Sequence, residues 1–212
     1  VAGGASMPAG AAPRSDINIG MQLEPPHLDP TAGAAAAIDE VVYANVFEGL
    51  TRFAADGTVQ PALAESWEIA PDGLSWVFHL RKDVSFQDGM PFTAEDVKFT
   101  IDYLAENQVP RYLGYVDRVV KTELIDEYTV KVYYDTISYW HLDNADLCFL
   151  PKHIWEDVED YKSFEPWLEP HPFMEGYTKL VGTGPFVLKE YVPGEYVRLV
   201  KNPYYWRLNP TD

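Results

Sequence analysis

Leu74, Trp76, Phe78 and Leu80 alternate with Ser75, Val77, His79 and Arg81. This is the period-two pattern of a strand with one buried face. Asp72-Gly73 before it and Asp88-Gly89 after it are turn signals. Thr93, with Asp96 three residues on, predicts a capped helix over 93–106, and Val97, Ile101 and Leu104 give that helix an apolar stripe. Upstream, Ile17, Ile19 and Met21 alternate as a short first strand running into Pro25-Pro26. Ile38, Val41, Val42, Asn45 and Val46 suit a helix stopped near Gly49. Downstream, 119–135 reads as a hairpin with Val130, Val132 and Tyr134 on one face and its turn near Asp126-Glu127. Residues 139–158 read as two short helices broken at Pro151. Pro166, Pro170 and Pro172 make 159–178 an irregular loop. A second hairpin pairs 186–191 with 196–201 around Pro193-Gly194, and no internal repeat is present.

Composition adds limits. A chain of 212 residues, 47% hydrophobic and 14% aromatic, can bury a sizeable core in one large domain or two small ones. Its net charge of −17 is uneven: one base faces five acids over 1–40, and five bases face three acids over 179–212. The excess acid therefore lies in 41–178. Such a surface repels phosphate backbones, which argues against nucleic-acid binding. Solubility explains the acid, with attraction for cationic ligands as the alternative. A single cysteine, Cys148, allows no internal disulfide and sits in an apolar run, so it reads as a buried inert thiol. No stretch approaches 18 apolar residues, the length that a spanning helix needs. Residues 1–15 are mostly small, with Gly and Pro, and read as a flexible tether.

Patterns for catalysis are missing. There is no Gly-x-Ser-x-Gly, no His-Glu-x-x-His and no phosphate-cradling loop before a helix. The five histidines lack metal-ligand spacing, although ligands drawn from distant residues stay open. Acid pairs such as Glu95/Asp96 are explained by helix starts. The expectation is no enzyme, no cofactor and no metal.

The literal residues carry more. The block at 61–97, PALAESWEIAPDGLSWVFHLRKDVSFQDGMPFTAEDV, closely resembles the signature of the family 5 extracellular solute-binding proteins. These are the peptide- and nickel-binding subunits of ABC importers. Four further landmarks match in the family's order: LDPTAG at 28–33, VYANVFEGLTRF at 42–53, LPKHIWE at 150–156 and VGTGPFVLKEYVPGEYVRLVKNPYYW at 181–206. Family members are usually more than twice this long, so the chain is expected to be an N-terminal fragment.

The resemblance implies a mixed α+β fold: an incomplete periplasmic-binding-protein-like type II lobe with an inserted smaller α+β domain. On the family's layout, 16–40 and 179–212 form part of the first ligand-binding lobe and 41–178 the inserted domain. The implied function is extracytoplasmic capture of an oligopeptide or dipeptide by lobe closure, with delivery to an ABC permease by a monomeric binding subunit. Oligosaccharide or nickel-complex binding, and a folded module that binds no solute, are the alternatives. Lipid anchoring of the precursor stays open.

Two candidate contact sets follow. In the loop Gly33, Ala34, Ala35 and Ala36, small side chains leave the main chain free to pair with an extended ligand. An alanine-rich helix start explains the same residues. Tyr112 and Tyr115 are the second set, since peptide-binding relatives place an aromatic from a nearby segment over the ligand; plain packing is the competing explanation. Trp67 and Trp76 are expected in the core, as are Tyr204, Tyr205 and Trp206 unless a further lobe normally covers those three.

Overall fold

A computed structural model describes residues 16–31 and 35–207, with Tyr139 described by its backbone only. The tether expected over 1–15 lies outside the described residues. Helix α1 (Ala36–Val42) is followed by a small ribbon, β1 (Thr51–Phe53) with β2 (Val59–Pro61). The main sheet comprises β3 (Ala64–Ile69), β4 (Ser75–Leu80), β5 (Val119–Asp126) and β6 (Thr129–Tyr134), in the order β3-β4-β6-β5 and antiparallel throughout. Between β4 and β5 run α2 (Ala94–Glu106) and α3 (Leu113–Val116). After the sheet come two 3-10 turns (Tyr139–His141 and Asp143–Ala145), α4 (Lys152–Trp155) and a separate hairpin, β7 (Phe186–Val192) with β8 (Tyr196–Lys201).

The alternating strand forms as its pattern predicts. Trp76, Phe78 and Leu80 on β4 are buried and face the same core as Val130, Val132 and Tyr134 on β6. Val132 lies opposite Trp76 and Val130 opposite Phe78. Gly73 and Gly89 adopt φ of +71° and +87°, a region costly for any residue with a Cβ. Helix α2 lies against β5 and β6 and buries Val97, Ile101 and Leu104. Its capping box is present: the Asp96 carboxylate accepts from Thr93 N at 2.9 Å and Thr93 Oγ1 at 3.1 Å. The other oxygen of Asp96 accepts from Lys152 N at 3.0 Å, so one buried carboxylate caps the first turns of both α2 and α4. Burial raises the Asp96 carboxyl above its ordinary range and outweighs these hydrogen bonds.

Three expectations need correction. Residues 16–23 form no strand, and Ile17 and Ile19 are more than 80% exposed. An alternating pattern makes a strand only where a neighbouring strand completes its hydrogen bonds. Helix α1 stops at Val42, before Asn45, because Ala44 turns to φ +57°, though Val46 stays fully buried. The segment 139–158 yields two 3-10 turns and a four-residue helix that begins just after Pro151.

The rest of the chain is stapled by side chains. The 159–178 segment is irregular apart from one bridge, Pro170 to Thr178. Gly182 and Gly184 pass so close to the main chain at Asn45 and Val46 that a Cβ would stand 2.0 Å and 2.5 Å from carbonyl oxygens. Only glycine fits there. The core cluster includes Leu28 and Ile38, Phe78 and Val132 of the sheet, and Leu180 and Leu188 near the end.

Tyr204 and Tyr205 are not core, and Trp206 is only partly buried against it. Tyr204 is 53% exposed, and the other two are half-buried around Glu48. Tyr205 Oη donates to Glu48 Oε1 at 3.1 Å and Trp206 Nε1 to Oε2 at 3.0 Å, while the Arg81 guanidinium lies 4.4 Å over the Trp206 ring. Burial raises the Glu48 carboxyl despite these donors. Trp67 is half-buried against the core, and Cys148 is buried, with its thiol pushed up to about 12 by burial.

Candidate functional site

The site grows from a self-braced loop. Asp29, 3% exposed, folds back so that its Oδ1 accepts from Thr31 N and Thr31 Oγ1, both at 2.7 Å. His27 Nδ1 accepts from Asp29 N at 3.3 Å, and its ring stacks on Trp167 at 5.5 Å. The loop then leads into α1, which sinks Ala37, Ile38, Val41 and Val42 and leaves Ala36 exposed. Ala35 stands at the N-cap with no side chain able to cap the helix. Gly33 and Ala34 lie outside the described residues.

The second predicted set meets this loop across the fold. Tyr112 Oη donates to the Pro30 carbonyl at 2.9 Å, and Arg111 pairs with Asp39 of α1. These two ties bring the 110–116 segment against the loop and helix that hold Ala35 and Ala36. The tyrosines then divide. Tyr112 is 4% exposed, so its ring is held away from any solute and supports the loop. Tyr115, 37% exposed, stands edge-on to it, ring centroids 5.8 Å apart, and keeps a free face. A spacing of three could not say which ring turns inward.

Sequence reading missed the third wall. Tyr43, just after α1, donates to the Asp146 carbonyl at 3.3 Å, and Asn144 Nδ2 reaches the Gly114 carbonyl at 3.3 Å. The turn at 143–146 thereby closes beside both α1 and α3. Burial lifts the Asp146 carboxyl to about 6, and burial followed by Asp146 raises the Tyr43 hydroxyl. Tyr43 lies in the 42–53 landmark, but Asn144 and Asp146 belong to no motif read from the sequence.

Two concavities lie elsewhere. One of about 620 Å³ lies between Met90, Asp96, Leu124, Lys152 and His153. A second, of about 430 Å³, runs along α2 past Phe99, Asp102 and Tyr103. Both are shallow and open, and neither includes Ala35, Ala36 or Tyr115. The candidate site therefore stays with the loop before α1 and the segment tied to it. Among the described residues no group of three or more His, Cys, Asp or Glu could hold a metal ion, and no helix is long and apolar enough to cross a membrane.

Comparison with known proteins gives a consistent picture. The family model described as bacterial extracellular solute-binding proteins, family 5 Middle, matches residues 58–211. The periplasmic oligopeptide-binding protein of Haemophilus influenzae is 30% identical over 91% of this chain and 37% of its own length. Among solved structures, NikZ from Campylobacter jejuni in complex with Ni(L-His) superposes with a TM-score of 0.71 at 29% identity, over 87% of this chain and 35% of that one. AgaA of A. tumefaciens R10, in complex with agropinic acid, gives 0.73 at 26% identity over the same shares. The chain thus spans about a third of the length of these relatives, and its mixed α/β fold corresponds to part of a periplasmic-binding-protein structure. With its family model covering most of the chain, this protein belongs to the family 5 extracellular solute-binding proteins.

Proposed function

We propose that the chain forms the N-terminal part of the solute-binding subunit of an ABC importer, working outside the cytoplasmic membrane and capturing di- or oligopeptides. The observation that carries the reading is the meeting of the loop before α1 with the 110–116 segment. It sets two small residues, Ala35 and Ala36, near one open aromatic, Tyr115, on a braced support. Main-chain pairing at the small residues would give affinity without side-chain demands on the peptide, and the ring would cover it. By sequence, Gly33 and Ala34 belong to the same contact set. In this reading 16–40 and 179–212 belong to the first lobe and 41–178 to the inserted domain. Closure of a second lobe would complete the cleft, and the closed form would dock on the permease.

The test is calorimetry on the complete binding protein with trialanine and with the nickel–histidine complex. Peptide binding that weakens about tenfold in Tyr115→Ala, with unchanged melting temperature, supports the reading. Binding of the nickel complex alone would move the assignment to that ligand class. No binding of either would favour a folded interaction module.

A further inference from the structure

Away from the candidate site, one carboxylate oxygen collects two histidines from distant segments. Asp88 Oδ2 lies 2.6 Å from His153 Nε2 on α4 and 3.3 Å from His171 Nε2 in the 159–178 segment. The Asp88 and His171 side chains are 4% and 2% exposed; that of His153 is 27% exposed. Burial alone would raise the Asp88 carboxyl, but hydrogen bonds from His153, Met90 N and His171 hold it below the ordinary carboxylate range.

The other ring nitrogen of His171 decides its protonation. Nδ1 accepts from both Phe173 N and Met174 N at 3.1 Å. A nitrogen receiving two N–H groups carries a lone pair, so the single proton of the ring sits on Nε2 and is donated to Asp88. The turn so formed belongs to a small closed loop: His171 N donates to Tyr177 O at 2.9 Å and Pro170 bridges Thr178. Charging His171 would put a proton on Nδ1, facing two N–H groups, and would break both hydrogen bonds.

Other charged groups surround the pair. Asp96 is the second carboxylate acting on His153, and Glu95, Glu127, Glu156 and Lys152 line the same groove. Lys152 is engaged by Glu95 and Lys179 by Glu169, while Lys189 reaches the Gly176 carbonyl. His153, more exposed and closer to Asp88, could carry a second proton without breaking any main-chain hydrogen bond given among the described residues. His171 cannot do the same without opening its turn.

We propose that His171 is an acid-released latch: the 171–178 loop stays closed on Asp88 while the ring is neutral and opens when the ring takes a second proton. The experiment is hydrogen exchange followed by mass spectrometry on the full chain, from about pH 7.5 to about pH 5, with rates corrected for intrinsic pH dependence. Protection of the peptide spanning 171–178 should fall by about tenfold or more, while peptides from β4 and β6 keep theirs. In His171→Asn the amide oxygen can replace Nδ1 as acceptor but cannot be protonated, so protection should no longer depend on pH. Unchanged protection in the parent, or the same pH dependence in the variant, would overturn the latch. Should the variant loop be open at both pH values, the ¹⁵N shifts of His171 decide. A neutral Nε2–H ring at the higher pH supports the proposal, and an Nδ1–H ring or an imidazolium there refutes it.

Discussion

The side-chain amide of Gln87 sits on the main chain of Phe186, with Nε2 2.6 Å from the Phe186 carbonyl oxygen. The same amide reaches the carbonyls of Val46 and Gly184, and its oxygen accepts from Gly182 N at 3.2 Å. Gln87 is fully buried, so one side chain joins the turn after β4, the end of α1 and the approach to β7. Replacing it with Leu keeps the volume but removes the acceptor of Gly182 N and the contact to the Phe186 carbonyl, while the Val46 and Gly184 carbonyls keep Gly184 N and Asn202 Nδ2. Chemical denaturation should show a loss of roughly 2 kcal/mol, because a buried N–H left without its acceptor costs more than the hydrogen bond had contributed.

Glycine at 182 is required by space and not by dihedral angle. A methyl there would meet Val46 O at 2.0 Å, a backbone atom that cannot swing aside. Gly182→Ala should cost about 3 kcal/mol. Gly114 provides the control, since a methyl added there would meet nothing within 4 Å. Gly114→Ala should leave the denaturation midpoint unchanged or raise it slightly, by less than about 1 kcal/mol in stability.

The Asp146 carboxyl, ordinarily at 3.8, is lifted to about 6 in the folded chain by burial. Over that interval the folded state holds a proton that the unfolded state has released, so this group favours folding less as pH rises. Asp146→Asn removes the dependence. The melting temperature of the variant relative to the parent should therefore climb between about pH 4 and about pH 6 and level off above. A constant difference across that range would show that the carboxyl is not shifted.

Hydrogen exchange should separate the chain into two tiers. β4 is paired on both sides and buried, so its amides, with those of β6, should exchange most slowly. Residues 16–23, which join no strand, and the two-stranded β7–β8 hairpin should exchange much faster. Equal protection in both tiers would contradict an inserted domain that is stable by itself beside a looser first lobe.

What was legible in the sequence was local. Thr93 and Asp96 are three residues apart, and the 119–135 hairpin closes on itself, so capping and alternation were enough to find them. The family landmarks were legible for another reason, since they are literal residues and need no geometry. Contacts across the fold left no such trace. Nothing in the chain pairs Arg111 with Asp39 or Glu48 with Trp206, and nothing assigns Gln87 its partners in the 182–186 segment. The alternation at 17–21 also misled, because a pattern records which face is apolar but not whether a neighbouring strand is present.

The strand order β3-β4-β6-β5 carries a kinetic consequence. Two of its three pairings, β3–β4 and β5–β6, close over short turns and can form early, at small entropic cost. The third must bring Phe78 to Val130 across everything that lies between, α2 included. That single zipper between two preformed ribbons is the natural bottleneck of folding. Truncating Val132, which sits on it opposite Trp76, should slow folding, whereas an equal loss at the outer end of β3 should mainly speed unfolding.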